Sequence, residues 1–116
     1  MKIRIKGNAL RYRLTKSDVN SFAEVGCIEE HTCFLGQTLS YALQRNTGGK
    51  LSATFENNKI TLFMPVFMAD DWALTDRVGF EDNDNGLYLL VEKDFKCLDN
   101  VAEDQSDNYP NPLVKF

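Results

Sequence analysis

KIRIKGNALRYRL, running from Lys2 to Leu14, alternates basic and apolar residues on either side of Gly7-Asn8. A two-residue turn there predicts an antiparallel ribbon in which Lys6 faces Ala9, Ile5 faces Leu10, Arg4 faces Arg11, Ile3 faces Tyr12 and Lys2 faces Arg13. One face of the ribbon is then apolar and the other cationic. Like charges directly opposite each other cost roughly 0.2 to 1 kcal/mol per pair, so Arg4/Arg11 and Lys2/Arg13 call for an offsetting anion. Nucleic acid, a partner protein or the acidic end of the same chain would each supply one. Lysine and arginine on an exposed strand also block edge pairing, which is the plainer reading of the same residues.

The 116 residues, 43% hydrophobic and 26% charged, suit one domain with its own core and are too few for two ordinary ones. Charge and apolarity alternate from the start, so neither a signal peptide nor a membrane span is expected. Three cysteines without CxxC spacing fit reduced thiols, and the expected setting is cytoplasmic. The net charge of −4 is unevenly placed: residues 1–50 hold eight Lys/Arg and four Asp/Glu, a balance of +4, and residues 51–116 hold five and thirteen, a balance of −8. Six basic and no acidic residues lie between Lys2 and Lys16, so the positive field is local. Lys2, Arg4, Lys6, Arg11, Arg13 and Lys16 are the candidate contacts to an anionic partner.

Beyond the ribbon, Thr15-Lys16-Ser17-Asp18 predicts a helix start, with Thr15 or Ser17 as cap. Val19, Phe22 and Ala23 share one face and Gly26 supplies the stop, giving a helix over about 16–25. From Cys27 the period becomes two, with a second hairpin turning near Gly36-Gln37, and Asn46-Thr47-Gly48-Gly49 is a concentrated turn signal. The second half repeats this order at an offset of about 50. Ile5 and Leu10 fall on Phe55 and Ile60, Asn8 on Asn58, and Phe22 on Trp72 in a second helix over about 66–75. Gly26 answers to Gly79, and a last hairpin over 78–91 turns at Asn85-Gly86, a type I′ signal. The expected fold is a β-rich α+β domain of tandem hairpin-helix-hairpin units about a pseudo-twofold axis. It would comprise one compact domain over 1–95, with copy one at 2–46 and copy two at 50–92, followed by an acidic extended tail over 96–116.

Ile5-Lys6-Gly7-Asn8, Leu10-Arg11-Tyr12-Arg13-Leu14 and the short helix ending at Gly26 resemble the AbrB/MazE swapped-hairpin domain. The first copy resembles it over about 2–44 and the second, more weakly, over about 52–91. The whole chain also resembles an uncharacterised bacterial family of unknown function. The swapped-hairpin resemblance implies interlocked hairpins and DNA contact through basic N-terminal ribbons. The family's strand-end proline is Thr15 in copy one and Pro65 in copy two. The counterparts of Arg4, Lys6, Arg11 and Arg13 are Thr54, Glu56, Thr61 and Phe63, so only one ribbon is cationic. Symmetric operator binding is not expected, and about four to six phosphate contacts would make any DNA binding weak and salt-dependent.

Other clusters carry less. Cys27, His31 and Cys33 share strand parity and would need Cys97 or Asp99 to complete a zinc site. His31 with Cys33 is also the only pair that would support a small enzyme. Asp70-Asp71 falls in the first half of the second helix, where carboxylates complement the dipole. Glu81, Asp82 and Asp84 flank a turn and are expected to bond locally to backbone. Glu92, Asp94, Asp99, Glu103, Asp104 and Asp107 would let the tail meet a basic groove on another protein or fold back on Arg4, Arg11 and Arg13. The expected function is non-catalytic binding or regulation through the basic hairpin, with the tail as second contact or cover. The alternatives are a weak AbrB-like DNA-binding regulator and a small enzyme or zinc protein using His31 and Cys33. No catalytic residue, cofactor, metal or membrane contact is expected. The partner is an unidentified protein or weakly bound nucleic acid, and a homodimer is compatible with the ribbon.

Overall fold

In the computed structural model, which describes residues 1–95 and 106–110, the opening ribbon consists of β1 (Lys2–Lys6) and β2 (Ala9–Leu14). Their register is the expected one, from Lys6 opposite Ala9 to Lys2 opposite Arg13. Helix α1 (Lys16–Val25) begins at Thr15, whose Oγ1 accepts from Asp18 N at 3.3 Å while Asp18 Oδ2 accepts from Thr15 N at 3.1 Å. This reciprocal box satisfies two helix-end donors, so Thr15, not Ser17, is the cap. Gly26 closes the helix at φ 87°, and a Cβ there would meet the Arg45 guanidinium at 2.7 Å. β3 (Cys27–Phe34) and β4 (Gln37–Asn46) follow, turning at Leu35-Gly36, one residue before the predicted point.

The second half supplies β5 (Ser52–Glu56), β6 (Lys59–Pro65), α2 (Val66–Leu74), β7 (Gly79–Asp84) and β8 (Leu87–Lys93). The protein is β-rich α+β, with two helices and two four-stranded sheets among the described residues. The sheet orders are β1-β2-β8-β7 and β3-β4-β6-β5, so each sheet takes one hairpin from each half. The central pairs β2·β8 and β4·β6 are parallel, and every other pair is antiparallel. Parallel partners leave their turns in the same direction, which gathers the hairpin turns of a sheet at one end. There Ile5, Leu10, Leu39, Phe55, Ile60 and Leu87 border an apolar mouth of about 430 Å³.

Leu10, Tyr12, Leu14, Leu43, Leu62, Met64, Leu89 and Val91 point between the sheets and are buried. Each strand contributes alternate residues to this interior, the signature of a sheet with one wet face. The helices close the end opposite the turns, where the Phe22 and Trp72 rings meet edge-on at 6.3 Å. Along one seam the sheets are joined by side chains: Asp82 Oδ2 accepts from Leu51 N at 2.9 Å and Asp84 Oδ2 from Ala53 N at 3.1 Å. These carboxylates therefore tie two sheets together and do not serve their own turn, where Asn83 Oδ1 accepts from Gly86 N instead.

Two further expectations change. Helix α2 has no acidic residue in its first turn, so Asp70-Asp71 does not complement its N-terminus; Asp71 instead lies 3.8 Å from Arg77 Nη1. The helix ends at Thr75 in extended conformation, and Gly79 is no helix stop. Gly79 lies opposite Glu92 at the start of β7, where a Cβ would meet Val91 O at 2.1 Å, so the glycine is needed for close strand approach.

Candidate anion-binding surface

Because even-numbered residues of β2 point inward, its odd-numbered residues face solvent, and pairing extends that face across the sheet. Lys2, Arg4 and Lys6 of β1, Arg11 and Arg13 of β2, Tyr88, Leu90 and Glu92 of β8, and Glu81 of β7 share it. Charge therefore grades from cationic at the β1 edge to acidic at the β7 edge. Five of the six candidate residues are brought together. Lys16 is not among them: it opens α1, with Nζ 6.0 Å from the centroid of the Tyr109 ring.

The cations differ in how far they are already matched. One oxygen of Glu92, Oε1, accepts from Arg11 Nε at 2.7 Å, from Arg11 Nη2 and from Arg13 Nε at 2.9 Å. Lys2 Nζ lies 2.9 Å from Oδ2 of the buried Asp94, a charge contact without the angle of a hydrogen bond. Arg4 and Lys6 are exposed and form no ion pair among the described residues. A shallow groove of about 250 Å³ runs between Arg4, Lys6 and Arg11 on one side and Tyr88 and Leu90 on the other. The Tyr88 hydroxyl donates to Glu81, and that hydrogen bond keeps the phenol protonated to higher pH than usual. The sequence reading assigned Glu92 and Asp94 to the acidic end of the chain. In the structure Glu92 belongs to β8, and its contact depends on a parallel pairing between residues nearly eighty apart, which no local pattern encodes.

On the outer face of the other sheet His31 Nδ1 lies 2.8 Å from Ser40 Oγ, and Nε2 lies 3.6 Å from Glu29. Glu29 in turn pairs with Lys59 at 2.6 Å; that hydrogen bond holds the Glu29 carboxyl below its usual range and the Lys59 ammonium above. Among the described residues no three His, Cys, Asp or Glu side chains are placed to hold a metal, and Cys97 and Asp99 lie outside them. Residues 31–38 are all exposed.

Of the acidic tail, Asp99, Glu103 and Asp104 lie outside the described residues. Residues 106–110 pack at the start of α1. Asp107 accepts from the Thr15 and Ser17 side chains, which hold its carboxyl below the usual range, and its carbonyl accepts from Lys16 N at 3.2 Å. Tyr109 bridges in parallel to Phe95, with ring centroids 5.7 Å apart, and its N–H donates to Asp94 O at 2.8 Å. No described helix is long and apolar enough to cross a membrane.

Against this architecture, no curated protein and no solved structure matches the chain. A family model does match, over residues 1–113, so the chain belongs to the family of unknown function DUF7009.

Proposed function

We propose that this chain is a non-catalytic binding domain that presents Arg4 and Lys6, on the edge of a swapped-hairpin-like body, to an acidic segment of a partner protein. The fold part of the reading is supported by three features. Each sheet combines one hairpin from either half, the element order repeats, and the two helices meet through Phe22 and Trp72. This is the arrangement expected of a duplicated AbrB/MazE-like unit held in one chain.

The observation that carries the binding part is the unequal matching of charge. Glu92 satisfies Arg11 and Arg13 and leaves Arg4, directly opposite Arg11, unmatched at an open strand edge. Arginine offers a planar fork of donors suited to carboxylates. Tyr88 and Leu90 line the groove across from Arg4 and Lys6, giving apolar contact area beside the charge. A second reading, weak DNA binding, is favoured by the same free cations. Glu81 and Glu92 on that sheet face limit it to about two phosphate contacts.

Fluorescence anisotropy with a labelled Asp/Glu-rich peptide and with a short DNA duplex tests both. The peptide is expected to bind, and Arg4→Ala combined with Lys6→Ala to abolish binding without lowering the melting temperature. Duplex binding that falls about tenfold between 50 and 200 mM salt, as two contacts require, would favour the second reading. Binding to either probe that survives the double substitution would overturn both.

A further inference from the structure

Both helices end beneath a basic residue of a strand. At the end of α1, Arg45 Nη1 donates to Ala23 O at 3.2 Å, and the guanidinium lies against Gly26 with no room for a Cβ. At the end of α2, Lys93 Nζ donates to Thr75 O at 2.9 Å. A cation beside free terminal carbonyls complements the helix dipole in both cases. What each cap leaves around itself differs.

Lys93 continues the inward run of β8 after Leu87, Leu89 and Val91, and only 6% of it is exposed. Its stem therefore ends the core while its ammonium, which has three donors, makes a single hydrogen bond among the described residues. Burial pushes this amine below the usual lysine range, against the opposing pull of Asp76 and Asp71. The ammonium opens onto a cavity of about 540 Å³ walled by Phe95, Tyr109 and Val78. Lys16 lines the same cavity, and the two Nζ atoms stand 6.0 and 5.2 Å from the centroid of one ring, Tyr109. Asp76 is the one carboxylate among the described lining residues, while Asp71 acts on Lys93 and Asp107 on Lys16 from outside the lining.

We propose that this cavity is a binding site for a small monocarboxylate with an apolar body, its carboxylate held by Lys93 and Lys16 and its body against Tyr109 and Phe95. The volume lies within the range of small-molecule sites, and apolar walls with a few convergent polar groups are their usual lining. A bound carboxylate would also accept the Lys93 donors that the fold leaves unused. The site lies at the helix end, away from the hairpin turns and independent of Arg4 and Lys6.

Benzoate is a suitable probe, with benzylamine as its charge-reversed counterpart, titrated into the full chain by calorimetry at low salt. Benzoate is expected to bind and benzylamine not, with Lys93→Met weakening benzoate at least tenfold and Lys16→Met severalfold. Lys93→Met substitutes an apolar chain of similar length and is expected to fold. Should it not, the Lys93 side-chain NMR signals of the unaltered protein provide the reading, and they are expected to move on adding benzoate. Absence of benzoate binding, equal binding of benzylamine, affinity unchanged by Lys93→Met, or unmoved Lys93 signals would each overturn the proposal.

Discussion

The hairpins β1–β2 and β5–β6 hold the same place in their sheets, each laid against a parallel strand from the other half, yet their outer faces have little in common. Inward, the facing pairs are Ile3/Tyr12 and Ile5/Leu10 in one and Ala53/Leu62 and Phe55/Ile60 in the other. Apolar character is kept while size is redistributed, as a shared core permits when total volume is maintained. Outward, Arg4/Arg11 stands where the second hairpin has Thr54/Thr61, and Lys2/Arg13 where it has Ser52/Phe63. The second hairpin forms the same ladder with a single charged pair, Glu56/Lys59, of opposite signs. The cations of the first are therefore not required for the strand pairing, and Glu92 is the group that makes them tolerable.

The comparison assumes that both halves rest on one interior. Phe22 and Trp72 close its helical end, both buried, and the indole N–H is satisfied by Val78 O at 2.9 Å. Phe22→Ala and Trp72→Ala are each expected to cost about 3–5 kcal/mol in urea unfolding, with a single transition. Because the rings touch, the double variant should fall short of the sum by about 0.5–1.5 kcal/mol. Two separate transitions, or strict additivity, would mean that the halves are stabilised independently.

A smaller effect tests the outer faces. Glu92 lies opposite Arg13 in the first sheet, and Gln44 holds the corresponding place opposite Phe63 in the second. Glu92→Gln leaves Arg11 and Arg13 without their shared carboxylate and with Arg4 beside them. A loss of about 1–2 kcal/mol is expected, shrinking as salt is added. Thermal melts at low and moderate ionic strength measure it. No loss at low salt would show that the arginines tolerate one another unaided.

What sequence made legible follows from how local each constraint is. The two-residue turn at Gly7-Asn8 fixes its register by geometry alone, and Thr15, Asp18 and Gly26 mark both ends of α1 from close by in the chain, so these match. The parallel pairings β2·β8 and β4·β6 join distant segments and leave no periodic trace. That is why Glu92 and Asp94 were read as part of an acidic tail, and why Asp82 and Asp84 were expected to serve their own turn. The same gap limited the site: six cations were legible, but which of them already had partners was not. The parity of Lys93 with Leu89 and Val91 is the available signal that it closes the core.

The helix starts extend the comparison to its smallest expected effect. Pro65 gives α2 no side-chain cap, whereas α1 has the Thr15–Asp18 box and, from residues 106–110, Asp107. Hydrogen bonds from Thr15 and Ser17 depress the Asp107 carboxyl in the folded protein, so between its folded and unfolded pKa values the unfolded chain binds more protons. The contribution is therefore complete above the unfolded value, near 3.8, and is lost as pH falls through the lower folded value. Asp107→Asn is expected to melt slightly below the parent at neutral pH, with the difference closing under acid, because a neutral amide has no proton to gain. Identical melting at neutral pH would mean that Asp107 acts through its backbone contact with Lys16, which the substitution leaves in place.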